Sequence, residues 1–103
     1  MQDIKVLLIG DFMIDQYIFC SSTRMSPEAP VPVLTPYDEF KVPGGAGNVA
    51  LNMSKLGANV SCLGYIGSDS QGSELKKILN NQKINTEHLY QNGDLTTIKR
   101  RYY

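Results

Sequence analysis

PGGAGNVALNMSKLGANVSCLGYIG, residues 43–67, reads as a glycine-rich turn, a helix and a buried strand in succession. After Pro43-Gly44-Gly45, the positions Ala46, Val49, Ala50, Met53 and Leu56 repeat at helical spacing, and Gly57 is a good C-terminal stop. Val60–Ile66 (VSCLGYI) then has the apolar, β-branched character of a strand buried in a sheet, and Gly67–Ser70 turns. Leu75, Ile78 and Leu79 define a second helix, with Asp69 or Ser70 as its N-cap. Turn, helix, strand, helix is α/β grammar, so a parallel sheet is expected.

Upstream, Ile4–Ile9 (IKVLLI) is an aliphatic run stopped by Gly10-Asp11, expected to be a strand buried on both faces whose C-terminal end opens onto a binding crevice. Ile14–Cys20 is β-rich, and Val31–Val42 reads as two short strands broken around Pro36. All five prolines fall between Pro27 and Pro43. A residue without an N–H cannot donate to a central ladder, so this region is expected to stand off the main sheet as an edge or flap. Downstream, Thr86–Tyr90 and Thr96–Tyr103, joined around Asn92-Gly93, read as a hairpin. The last strand is still rising in β-propensity at Tyr103, which reads as a chain cut from a longer protein.

The 103 residues are 42% hydrophobic and 19% charged, which excludes collagen, a disordered tail and a disulfide scaffold. Ten cationic and ten acidic residues cancel, so no global field draws the chain to nucleic acid or an anionic membrane. The cancellation is uneven, because Lys99, Arg100 and Arg101 crowd the C-terminal end. Cys20 and Cys62 lie in apolar runs without metal-ligand spacing, so buried reduced thiols are expected. The N-terminal apolar run is too short for a signal peptide or a membrane span, and a cytoplasmic protein is expected.

Among candidate chemical elements the glycine-rich turn is the richest. Glycines admit a ligand to the backbone, amides are free at a helix start, and Asn48 adds a side-chain amide. The bland alternative is a tight entry turn. Gly45-Ala46-Gly47-Asn48-Val49-Ala50 also fits G-x-G-x-x-A, with Asp69 about where a ribose-binding acid would fall, although no buried strand precedes it. Asp15 lies just past the first strand's end, where a carboxylate can accept two sugar hydroxyls, or simply be solvated. Asp11 is an equal candidate for ligand or turn cap. Lys99 and Arg101, two apart on a strand, share one face and can grip a phosphate, while Arg100 turns away with Ile98 and Tyr102. The alternative is an edge strand guarded by charge. His88 reads as a surface residue, and Met13, Met25 and Met53 as packing.

Gly44-Gly45, Asn48, Ala50, Gly57 and Gly67, at these separations, resemble the first signature of the ribokinase-like (PfkB) carbohydrate kinases. Gly10-Asp11 with Asp15, and the turn Gly67–Gly72, fit the same pattern, and the match covers the whole chain. Within that family Thr23–Val33 (TRMSPEAPVPV) closely resembles the D-glycero-β-D-manno-heptose 7-phosphate kinases, which are often joined to an adenylyltransferase.

The resemblance implies the N-terminal portion of a ribokinase-like α/β fold: a parallel central sheet flanked by helices, plus a small β flap. The flap is expected at about 12–42 and 86–103, and the α/β part at about 1–11 and 43–85. It implies a sugar site made of Asp15, Gly44, Gly45 and Asn48, with Lys99 and Arg101 on the sugar's phosphate. It implies a flap that closes over the sugar and joins two subunits, with no nucleic-acid or membrane partner. ATP and Mg²⁺ belong with a C-terminal part whose Gly-Ala-Gly-Asp-like motif supplies the base, and this chain has no such motif. No catalytic residue is therefore assigned here, and the chain alone is expected to be inactive. Other PfkB sugar or nucleoside kinases, and a dinucleotide-binding module, are the remaining alternatives.

Overall fold

The computed structural model describes residues 4–103, so Met1–Asp3 of the expected α/β part lie outside the described residues. The order is β1 (Lys5–Ile9), β2 (Phe12–Met25), β3 (Pro32–Gly45), α1 (Ala46–Lys55), β4 (Asn59–Ile66), α2 (Ser70–Asn81), β5 (Asn85–Gln91) and β6 (Ile98–Tyr102).

Two three-stranded sheets result. The first has the order β1-β4-β5, all parallel, with Val6 opposite Val60 and Tyr65 opposite Tyr90. The second has the order β3-β2-β6, antiparallel between β2 and β3 and parallel between β2 and β6. This is the expected parallel sheet with flanking helices; the flap is built from β2, β3 and β6, whereas residues 86–91, expected in it, join the parallel sheet within β5.

Three details correct the sequence reading. Residues 86–90 and 98–103 form no hairpin: β5 pairs with β4 in the first sheet and β6 with β2 in the second. β-Propensity near Asn92-Gly93 suggested a tight reversal, but a buried Leu89 and a half-buried Ile98 are drawn to different partners. The two short strands expected within Val31–Val42 are one long strand, Pro32–Gly45, and Pro36 is absorbed at a bulge opposite Cys20. The prolines of β3 sit on an edge strand, where a missing N–H costs least. β1 is covered on one face only, leaving Ile9 67% exposed beside Tyr65 at 70% on the open face of the first sheet.

The core lies between the covered face of the first sheet, the two helices and the base of the second sheet. Ile14, Cys62, Leu75, Leu79 and Leu89 are its largest fully buried side chains, joined by Phe12, Ala50, Val60, Ile66 and Ile84. In α2 the buried side chains Leu75 and Leu79 fall at i and i+4, so one stripe docks. Asp69 caps this helix, accepting the Gly72 N–H at 2.9 Å. α1 begins without a side-chain cap, from Gly45 at φ 58°, and the Ala46 N–H donates to the Asp11 carbonyl at 2.8 Å. α1 stops before Gly57, at φ 97°.

Beyond this core β2 and β3 continue as a two-stranded ribbon. The radius of gyration is 17.1 Å and the long axis 59 Å, against about 13 Å for the radius of a compact chain of this length. At the ribbon's base Lys41 reaches α2, donating to Gln71 Oε1 at 3.1 Å and lying 3.7 Å from Glu74 Oε2.

Candidate functional site

Strand alternation sorts the second sheet into two faces. One carries Ile14, Gln16 and Ile18, all buried against the core side. On the other, Asp15 stands opposite Val42 on β3 and Lys99 on β6, and Tyr17 stands opposite Phe40 and Arg101. Asp15, Lys99 and Arg101, picked separately from the sequence, are therefore brought together on one face.

Asp15 is the focus. Its Oδ1 is buried and has no hydrogen-bond partner. A buried carboxylate oxygen left without a hydrogen-bond donor is costly. The carboxyl group lies directly over Gly44: a Cβ there would stand 2.5 Å from Oδ1 and 2.6 Å from Cγ. Gly44 is thus glycine because Asp15 occupies the space of its side chain. Immediately beyond, α1 begins, and the helix dipole directs partial positive charge toward the same end. Asn48 lies in the first turn of α1, exposed. The sequence thus brings Asp15, Gly44, Gly45 and Asn48 around one helix start.

Lys99 and Arg101 extend the face outward, both exposed. Among the described residues no ion pair joins either to a carboxylate. The Arg101 guanidinium carbon lies 5.8 Å from the centroid of the Tyr17 ring, a cation–π arrangement. Tyr17 in turn stacks on Phe40 at 5.0 Å and Tyr103 at 6.0 Å, and Phe19 lies 5.8 Å from Phe40 and 5.6 Å from Tyr103. This aromatic floor was not singled out in the sequence, although Asp15, Tyr17 and Phe19 at a period of two carry the signal. Arg100 faces the other way, as its position predicts, and its Nε–H donates to Gln16 Oε1 at 2.9 Å. The Gln16 amide donates in turn to Glu39 Oε2 at 3.3 Å, tying the three strands together.

Asp69 has a different role from the ribose acid considered above. Its Oδ1 accepts from Gly72 N–H and from the Thr96 hydroxyl at 2.6 Å, and its Oδ2 accepts from Thr96 N–H at 3.1 Å. These bonds, Thr96's hydroxyl foremost and Gly72's amide next, lower the Asp69 pKa below the ordinary carboxylate value. With both oxygens engaged, and with Gly45-x-Gly47 following an antiparallel edge strand rather than a parallel one, the dinucleotide reading has no site.

Asp11 is exposed and lines a hollow of about 460 Å³ with Ile9, Gly10, Leu63, Gly64, Tyr65 and Tyr90, at the C-terminal ends of the parallel strands. That is the crevice position expected for β1. His88 is exposed, its Nδ1 3.0 Å from the Tyr90 hydroxyl. Both cysteines are free thiols; Cys62 is buried, which pushes its pKa up to about 11, and Cys20 is half-buried. No metal-ligating group of three or more His, Cys, Asp or Glu occurs among the described residues, and none of their helices is long and apolar enough to cross a membrane.

A parallel sheet with flanking helices and a flap gives the chain a ribokinase-like α/β architecture, with the Asp15 carboxylate held over a glycine-rich helix start. The chain belongs to the pfkB family of carbohydrate kinases, whose pattern it matches over residues 3–101. It is 42% identical over 99 residues to the bifunctional protein HldE of Acidiphilium cryptum, covering 95% of this chain and 20% of that protein. It is 45% identical over 97 residues to the bifunctional protein HldE of Campylobacter jejuni (strain RM1221), covering 94% and 20%. Among solved structures, an uncharacterized sugar kinase from Pyrococcus horikoshii, PH1459, in complex with ATP superimposes with a TM-score of 0.67 at 26% identity. That superposition covers 93% of this chain and 30% of the kinase. The chain thus spans about a fifth of the length of the curated relatives it matches.

Proposed function

We propose that this chain forms the acceptor-sugar side of an ATP-dependent kinase that phosphorylates the anomeric hydroxyl of D-glycero-D-manno-heptose 7-phosphate, a step toward ADP-heptose and the lipopolysaccharide core. The observation that carries the reading is the buried Oδ1 of Asp15, without a hydrogen-bond partner and held over Gly44, on the same face as Lys99 and Arg101, neither of which forms an ion pair among the described residues. A carboxylate suits sugar hydroxyls, and a lysine and arginine farther along suit a phosphate at the sugar's other end. The similarity to HldE proteins favours a heptose phosphate over other sugars.

The phosphoryl donor would be ATP, with Mg²⁺ neutralising charge on the transferring group. The residues that hold them, and the base that takes the hydroxyl proton, are placed outside this chain. In this reading Asp15 orients the acceptor sugar, the start of α1 receives its electron-rich groups, and Lys99 with Arg101 fixes the phosphate end. The enzyme would work in the cytoplasm as a homodimer joined through the ribbon, where Leu34 and Tyr37 are exposed; light scattering of the gene's full product would read two copies.

The test is a substrate panel with ATP on the full product of the gene: heptose 7-phosphate, unphosphorylated heptose, ribose and fructose. Preference for heptose 7-phosphate by at least about a hundredfold in kcat/KM is expected if the phosphate is gripped by charge-assisted bonds. Equal or better turnover of an unphosphorylated sugar would overturn the assignment in favour of another sugar or nucleoside kinase.

A further inference from the structure

Lys99 and Arg101 reach the site face only if β6 enters its sheet in one register. β6 lies on the edge of the second sheet, paired with β2 alone, and the loop before it, residues 92–95, is exposed. A slip of one residue would present Arg100 in their place, because side chains alternate across a strand. Thr96 is what fixes the entry. It is buried, three residues before Lys99, and its hydroxyl both donates to Asp69 Oδ1 at 2.6 Å and accepts the Gly67 N–H at 3.0 Å. Its own N–H donates to Asp69 Oδ2 at 3.1 Å. One residue on, the Thr97 carbonyl accepts the Ile14 N–H at 3.0 Å, and the pairs Ile14 with Ile98 and Asp15 with Lys99 follow.

The socket around Thr96 belongs to the other sheet. Gly67 and Asp69 lie in the turn between β4 and α2, and Asp69 is held there by its bond to Gly72. The backbone of residues 94–96 passes so close to Gly67 that a side chain there would collide with it. The α/β part therefore grips the flap strand at its first residues.

We propose that Asp69 and Thr96 are positioning residues for the phosphate grip, setting where Lys99 and Arg101 meet a phosphorylated sugar; the inference rests on the sugar-phosphate reading above. The two residues touch no substrate and act through the register of β6.

The test is calorimetric titration of the gene's full product with heptose 7-phosphate and with unphosphorylated heptose, without ATP. Thr96→Val keeps the shape and removes the hydroxyl. It should weaken heptose 7-phosphate about tenfold, the scale of one lost bond to a charged group, and unphosphorylated heptose by less than about twofold. Thr96→Ser should restore binding to within about threefold, and Asp69→Asn, which still leaves one oxygen to cap α2, should reproduce the selective loss if Thr96→Val does not fold. Thr96→Val added to Arg101→Ala should weaken binding by less than the sum of the two single losses, the remainder acting through Lys99. Equal losses for the two sugars, or additive losses in the double variant, would overturn the positioning role while leaving the phosphate grip intact. An Arg101→Ala variant that binds heptose 7-phosphate as the wild type does would overturn the grip itself, and the positioning role with it.

Discussion

The carboxyl group of Asp15 fills the place where a side chain on Gly44 would stand, with Oδ1 buried and unpaired. The close fit leaves no room for a side chain at position 44 between β2 and β3. Gly44→Ala should push the carboxylate aside and raise the KM for the acceptor sugar at least as much as Asp15→Asn, by roughly tenfold or more, with the KM for ATP nearly unchanged. Steady-state kinetics with each substrate varied in turn checks this. A KM for ATP that rises in step would show that Gly44 serves the whole domain rather than the acceptor.

Arg101 lies over the Tyr17 ring, which is itself stacked on Phe40. Tyr17→Leu should keep the strand and lose the ring, weakening sugar-phosphate binding severalfold, as expected of an exposed cation–π contact worth about 0.5–1 kcal/mol. Arg101→Lys should lose more than charge conservation suggests, because a lysine has neither the flat stacking surface nor the two-pronged grip on phosphate. Both are read from the binding constant for heptose 7-phosphate.

Asp69 has its pKa lowered by Thr96 and Gly72, so the folded state binds its proton less readily than the unfolded state does. Its contribution to stability is therefore present above the ordinary carboxylate pKa, near 4, and is lost as the pH falls through the lowered native value. Thermal midpoints recorded from pH 6 down to pH 2.5 should fall less steeply for Asp69→Asn than for the wild type.

Cys62 shows the opposite sign. Burial raises its pKa to about 11, so the neutral thiol is favoured in the folded protein and the stabilising difference is lost as the pH rises from 9.0 through 11. At pH 8 a thiol reagent should label Cys20 well before Cys62, and Cys62 should react at the rate of unfolding.

Leu79 is fully buried in the stripe that α2 presents to the core. Leu79→Ala should cost about 2–5 kcal/mol, and Lys77→Ala on the exposed side of the same helix within about 0.5 kcal/mol. Urea titrations give both numbers.

What the sequence made legible follows from the range of the forces involved. The two helices, the Asp69 cap and the Gly57 stop depend on neighbours three or four residues away and are where their patterns place them, whereas the α1 stripe is borne out only at Ala46, Ala50 and Met53, with Val49 and Leu56 exposed. Asp15, Lys99 and Arg101 were chosen from chemistry and strand parity, and parity alone put them on one face once β2 and β6 paired. The pairing was not legible. Nothing within Thr86–Tyr103 states that its two halves join different sheets, because that choice rests on contacts to Ile14 and Leu63, far away in sequence. The open face of β1 could not be read either, since an aliphatic run looks the same whether one side or both are covered. The Thr96 socket escaped for a related reason: a lone threonine carries no local signal, and its partners lie 27 and 29 residues away.

The β2–β3 ribbon, finally, imposes a gradient along one continuous pair of strands. Its base is packed on Ile14 and tethered by Lys41, while from Arg24 to Tyr37 nearly every side chain is exposed and the backbone is held by cross-strand and turn bonds. Amide hydrogens near Ile14 should then exchange only with global unfolding, and those near Val33 by local fraying. The Asp15 carboxylate is thus anchored in the slowest-breathing part of the same strand whose far end opens first, so the outer ribbon can unzip and rejoin repeatedly without disturbing the residue at its root.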